Sequence, residues 1–125
     1  TPFRRIQNEA EVIQALKNVG FEIVVGSTLS PSEQIRAFRE ARLIVGAHGS
    51  NLTNLIFCDE QTFFLELLNE RFFDPFYMRL SNLVGLQYDH LRFLCPDPSA
   101  ASRDAEGIVN IDELLAKIHS LDTRI

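Results

Sequence analysis

The stretch from Arg42 to Phe57, RLIVGAHGSNLTNLIF, limits what this chain can fold into more than any other. An apolar run, Leu43 to Val45, breaks into Gly46-Ala47-His48-Gly49 and then into a polar cluster, Ser50, Asn51, Thr53 and Asn54, that opens a second apolar segment. That order reads as a buried strand, a tight turn and a helix N-terminus. Two glycines let the backbone take positive φ or approach a ligand closely. The helix that follows points unpaired N–H groups back at the turn, and such an end favours anions, phosphate above all. The structural alternative is that any strand-to-helix turn in an α/β domain needs a glycine and a cap. The stretch is neither a P-loop, since no Gly-Lys-Ser/Thr follows, nor the G-x-G-x-x-G dinucleotide fingerprint.

The flanking segments alternate in type. Asn8 with Glu11 three residues on reads as a helix cap with its reciprocal partner, and Val12, Ile13, Leu16 and Val19 recur at helical spacing up to Gly20. Phe21 to Val25 (FEIVV) is β-branched and aromatic, which predicts a strand. Ser30-Pro31-Ser32-Glu33 sets a cap, a proline at the first helical position and an acid at the third, before a helix with Ile35, Phe38 and Ala41 inside. Beyond the central block, Thr62 to Leu68 (TFFLELL) is apolar except for Thr62 and Glu66, as a parallel strand covered on both faces would be. Asp74-Pro75 opens a helix closed by Gly85, and Leu86 to Phe93 (LQYDHLRF) mixes polar and apolar positions like an edge strand. Residues 95–107 have a linker-like composition, and Asn110 caps a last helix carrying Ile111, Leu114, Leu115, Ile118 and Leu121.

Strands alternating with helices predict an α/β domain: a Rossmann-like, three-layer arrangement with a mostly parallel sheet of about four strands and a ligand crevice at their carboxyl ends. The expected organisation is one domain over residues 1–94, a linker-like loop over 95–107, and a C-terminal helix over 108–125 packing back on it. The order opens almost on a helix, where doubly wound domains usually open on a central strand.

Charge and cysteine content restrict function. Twelve basic against seventeen acidic side chains leave −5, so the overall field repels nucleic acid and anionic membranes. No apolar run approaches the ~20 residues needed to span a bilayer. Cys58 and Cys95 lack metal-ligand spacing and read as buried, reduced thiols.

The residues that carry a family resemblance are Arg5-Ile6-Gln7-Asn8-Glu9, Gly20-Phe21-Glu22, Leu29-Ser30 with Glu33-Gln34, Ala41, the block Gly46 to Phe57, and Phe64-Leu65-Glu66-Leu67. In this order they resemble the C-terminal region of glycosyltransferase family sixty-one and its bacterial capsular polysaccharide biosynthesis relatives. The usual form of the central block has Ala-Gly where this chain has Ser50-Asn51. The resemblance implies the C-terminal, donor-binding half of a GT-B fold, lacking its first strand and facing an acceptor-binding N-terminal domain. It further implies an inverting enzyme that uses a nucleoside diphosphate sugar, needs no obligatory metal or other cofactor, and acts in the bacterial cytoplasm or at the membrane periphery. This half alone is expected to be inactive.

On that reading His48 donates to a phosphate or to the glycosyl region; the alternative is a turn histidine capping carbonyls. Gly49 with the N–H groups of Ser50, Asn51 and Thr53 forms an anion cradle, and Thr53 and Asn54 are either ligands or caps of the first turn. Arg5 neutralises pyrophosphate or is a solvated arginine. Glu66 accepts from ribose hydroxyls at the open end of its strand or is tied to Arg71 or Arg79. Tyr88, Asp89 and His90 resemble an acid/base set, but on an alternating edge strand such residues usually lie at the surface. No catalytic base stands out. A competing class is a non-catalytic α/β interaction module that pairs through exposed sheet edges with a partner or, as a homodimer, with a second copy.

Overall fold

A computed structural model of the 125-residue chain describes residues 6–47, 50–71, 74–97 and 106–122. Four helices, α1 (Glu9–Asn18), α2 (Pro31–Glu40), α3 (Phe76–Val84) and α4 (Ile111–Asp122), and three strands, β1 (Leu43–Ala47), β2 (Phe63–Asn69) and β3 (Gln87–Phe93), follow in the order α1-α2-β1-β2-α3-β3-α4. The strands form one parallel sheet in the order β1-β2-β3. The expected α/β class holds.

β2 is central because its sequence can be buried on both sides. Phe63, Leu65 and Leu67 face a core built with Val12 and Leu16 of α1 and Leu114, Ile118 and Leu121 of α4. Phe64 faces the opposite core, made with Phe38 of α2, Leu52 and Leu55 of the segment after β1, Tyr77 of α3, and Leu86. The result is three layers, α1 and α4 on one face and α2 and α3 on the other. Each large apolar side chain removed from water here contributes roughly 1.5–3 kcal/mol.

Local signals explain most boundaries. Ser30 accepts from the Glu33 amide while the Glu33 carboxylate accepts from the Ser30 amide, a complete capping box with Pro31 at the first helical position. Gly85 ends α3 in the left-handed region at φ 92°, where a side chain would be strained. Asn110 Oδ1 accepts from the Glu113 amide at 3.0 Å and starts α4.

Three expectations are corrected. Phe21–Val25 enters no ladder among the described residues; Phe21 and Ile23 pack against the α1/α4 core from an extended segment, so the described sheet has three strands. The segment Ser50–Phe57 is a 3-10 helix of eight residues, not an α-helix. Asn8 makes no side-chain cap on α1. Its Nδ2 donates to Val109 O (2.8 Å) and its Oδ1 accepts from Val109 N (3.0 Å), reproducing with a side chain the two bonds of a strand pair.

That clasp pins the approach to α4. Gln7 N donates to Gly107 O at 2.7 Å, Ile6 bridges Gly107 in parallel, and Leu94 bridges Ile108 in antiparallel. Gly107 has no room for a side chain, since a Cβ would stand 2.1 Å from Phe93 Cδ2. The two ends of the 95–107 stretch that the structure describes are therefore tied to the sheet. Among the described residues no helix is long and apolar enough to cross a membrane.

Candidate functional site at the carboxyl end of β1

The site is built on a row across the sheet. Gly46 of β1 stands in register with Glu66 of β2, which stands in register with His90 of β3. At Gly46 the sheet lacks a side chain, and Leu52 fills the space: a Cβ on Gly46 would stand 2.8 Å from Leu52 Cδ2. Gly46 is not in the left-handed region. Close approach, not positive φ, is what this position requires. With Leu52 seated there, the 3-10 helix starts at the carboxyl end of β1. That strand stops at Ala47, level with Leu67, while β2 runs on to Asn69. The opening amides of a 3-10 helix have no acceptor within it, so this turn brings backbone donors to the rim where parallel α/β sheets bind ligands.

Of the residues singled out from sequence, Arg5, His48 and Gly49 lie outside the described residues. Ser50 and Asn51 open the 3-10 helix. Thr53 is exposed, and Asn54 is half-buried with its Nδ2 donating to Gln34 Oε1 at 3.1 Å. Gln34 in turn donates from Nε2 to Leu29 O at 3.3 Å. Gln34 is a site neighbour that sequence reasoning did not single out; its only signal was its place in one of the blocks carrying the resemblance.

Glu66 is the fourth of seven residues in β2, not at its open end, and is 0% exposed. Tyr88 Oη donates to Glu66 Oε1 at 2.6 Å, a short, charge-assisted bond. Burial first, then the bond to Glu66 and the charges of Glu66 and Asp89, hold the Tyr88 phenol well above its ordinary pKa. Burial, then the charges of Glu66 and Asp74, also push Tyr77 up. The carboxylate thus accepts a bond from one phenol and lies within electrostatic reach of a second, which is part of what makes an acid in a parallel sheet tolerable.

Tyr88, Asp89 and His90 do not form one acid/base set. Tyr88 lies in register with Phe64 and His90 with Glu66, whereas Asp89 lies in register with Leu65, on the other face. There its Oδ2 meets Lys117 Nζ of α4 at 3.1 Å. All three are half-buried, not surface residues.

The rest of the carboxyl rim is tied by a polar clasp. Arg71 donates from Nη2 to Cys95 O at 2.7 Å and from Nη1 to Asp97 O. The Cys95 amide donates to Glu70 Oε1 (2.8 Å) and its thiol to Asn69 Oδ1 (2.9 Å). Burial pushes the Cys95 thiol up, and pushes Cys58, which is half-buried, up to about 11. Both are free thiols held in the neutral, unreactive form. An apolar groove of about 400 Å³ along α3, lined by Asp74, Pro75, Phe76, Arg79, Leu80 and Leu83, shares no residue with the turn after β1. Among the described residues no three His, Cys, Asp or Glu side chains converge on a metal site.

The central turn lies within the part of the chain that matches a known family. Residues 1–65 match the family described as Glycosyltransferase 61. The chain is 26% identical over 119 residues to a beta-1,2-xylosyltransferase of Oryza sativa subsp. japonica, covering 89% of this chain and 22% of that protein. It is 29% identical to the beta-1,2-xylosyltransferase of Arabidopsis thaliana (77% of this chain, 21% of that one). It is 34% identical to the EGF domain-specific O-linked N-acetylglucosamine transferase of Gallus gallus (70% and 17%). The chain therefore spans about a fifth of the length of the curated relatives it matches. No solved structure matches it.

Proposed function

This chain belongs to the glycosyltransferase 61 family, and from that premise we propose that it is the donor-binding half of an inverting glycosyltransferase. In this reading the turn after β1 takes the diphosphate of a nucleoside diphosphate sugar. Backbone amides of Gly49 to Thr53 cradle the phosphate oxygens. Arg5 and His48 add charge and hydrogen bonds as the diphosphate departs, and an acceptor hydroxyl held by the N-terminal domain attacks the anomeric carbon. Asn54, whose Nδ2 donates to Gln34, supports the same turn from the side of α2. Glu66, enclosed in β2 and bonded by Tyr88, lies too deep to meet the ribose and braces the sheet beneath the turn. Transfer runs without an obligatory metal.

One observation carries the reading. Leu52 seated on Gly46 brings the opening of the 3-10 helix to the carboxyl rim of a parallel sheet, within the span that matches the family. The relatives' activities, xylosyl and N-acetylglucosaminyl transfer, make a sugar nucleotide the natural ligand class. The test is a melting experiment on the intact protein with nucleoside diphosphates. A ligand at 100 times its dissociation constant adds about 2.7 kcal/mol of stability, so a dose-dependent rise in Tm is expected with at least one base. Unchanged Tm at millimolar concentrations of all of them would overturn the reading.

A second reading, self-association through a sheet edge, is favoured by β1, which pairs on one side only among the described residues. Light scattering separates the two, because a concentration-dependent dimer indifferent to nucleotide supports only the second.

A further inference from the structure

We propose that Gln34 is a positioning residue for the sugar-nucleotide donor: acting through Asn54, it sets the angle at which the 3-10 helix presents its opening amides to the diphosphate. This rests on the donor-binding reading above and adds to it a residue on a different element.

A 3-10 helix has poorer hydrogen-bond geometry than an α-helix and holds its direction weakly on its own. External contacts must orient it. Leu55 is buried in the core with Phe38 of α2 and Tyr77 of α3, and two further contacts lie nearer the opening turn. Leu52 drops into the space left by Gly46 and fixes the helix against the sheet. Asn54, two residues on, reaches sideways to α2, its Nδ2 donating to Gln34 Oε1 at 3.1 Å. Leu52 and Leu55 hold the helix against the core, and the Asn54 bond ties its opening half to α2. Without that bond the opening turn loses its tie to α2, and its first amides are held less closely at the mouth of the site.

Gln34 is fitted to be the fixed end of that contact. It sits on α2 one residue after the capping-box Glu33, and α2 is anchored by that box and by buried Phe38. Its amide is itself oriented, since Nε2 donates to Leu29 O at 3.3 Å and so turns Oε1 toward Asn54. One side chain thus joins the loop before α2 to the 3-10 helix, a second-layer support of the kind that keeps a binding group within a fraction of an ångström. Gln34 is only half-buried. Its polar ends, more than its bulk, are what the site uses.

The experiment is calorimetric titration of the intact protein with UDP, GDP, ADP and TDP, using the tightest of the four as the probe. Gln34→Met keeps length and removes both hydrogen-bonding ends. Loss of the bond to Asn54 is expected to weaken probe binding about fivefold to tenfold, while the Tm of the unliganded protein falls by only a few degrees. In an Asn54→Ala background the same Gln34→Met change is expected to cost nothing further, because the contact it acts through is already gone. Wild-type affinity in Q34M would overturn the proposal, as would a lowered Tm with affinity unchanged. A loss of affinity equal in both backgrounds would overturn it too. If the wild-type protein binds none of the four nucleotides, the donor-binding reading fails first and takes this proposal with it, an outcome distinct from the others.

Discussion

Replacing Gly46 with alanine probes the seat of the 3-10 helix directly. Gly46 is outside the left-handed region, so alanine meets no backbone penalty there. The cost is the contact: the new Cβ lies 2.8 Å from Leu52 Cδ2, with Cδ1 and Cγ at 3.5 and 3.6 Å. Leu52 is buried, so its side chain must shift within a packed core or lift the helix off the strand. Overpacking by one methyl costs about 1–3 kcal/mol, and the flexible end of Leu52 puts this case in the lower half, about 1–2 kcal/mol. For a domain of this size each kcal/mol lowers Tm by about 4 °C. Leu52→Ala alone should cost about 2–4 kcal/mol by leaving a cavity. In the double variant the alanine methyl enters that cavity, so Gly46→Ala becomes nearly neutral and the pair couples by at least 1 kcal/mol. Urea denaturation followed by circular dichroism measures all four corners of the cycle. Strict additivity, or a neutral Gly46→Ala, would refute the account of how the turn is held.

Other expectations follow from single contacts. Tyr88→Phe removes the hydroxyl donated to fully buried Glu66 and should cost about 1.5–3 kcal/mol, read by the same denaturation, with Tyr88→Phe/Glu66→Gln losing less than the sum. Asn8→Ala opens both bonds to Val109 and should lower stability by about 1–2 kcal/mol, with hydrogen exchange of the Gly107 and Val109 amides rising before that of β2. Folding raises the pKa of Cys58, Cys95, Tyr77 and Tyr88 above their unfolded values; their contribution is complete below about pH 9 and is lost as pH rises. The unfolded thiols ionise first, near 9, while folded Cys58 holds its proton to about 11. Stability should therefore fall between pH 9 and 11, and less steeply in Cys58→Ala. If the proposed reading holds, chelation by EDTA should leave glycosyl transfer by the full-length enzyme unchanged in a product assay, and a loss restored by added divalent metal would contradict the proposal that no metal is required.

Much of the fold was legible because its signals are local or periodic. The capping box Ser30 to Glu33, the cap at Asn110 and the stop at Gly85 each involve residues within one helical turn, where sequence spacing and spatial distance are nearly the same. TFFLELL could only be a strand covered on both faces. What was not legible depends on partners far along the chain. Asn8 has the spacing of a cap, yet its partner Val109 is 101 residues away. FEIVV has every property of a strand except a described neighbour to pair with. The polar run from Ser50 to Asn54 reads equally well as the start of either kind of helix, and the depth to which Leu52 must fall on Gly46 selects the tighter one. At the candidate site, the turn was visible as a pattern and close approach was one of two roles open to its glycines, but that Leu52, 6 residues on, is what approaches Gly46 was not visible. Glu66 was recognised as costly, and its resolution by Tyr88 was not, because register across two strands decides which side of an edge strand meets it.

The most direct measurement is an amide chemical-shift titration of residues 1–125 with a nucleoside diphosphate carried to millimolar concentration. The largest shifts should cluster between Gly46 and Asn54, with smaller ones at Gln34 and Glu66 and little change across α4. Shifts confined to the α3 groove, or none above the effect of added salt, would contradict a diphosphate site at the carboxyl end of β1.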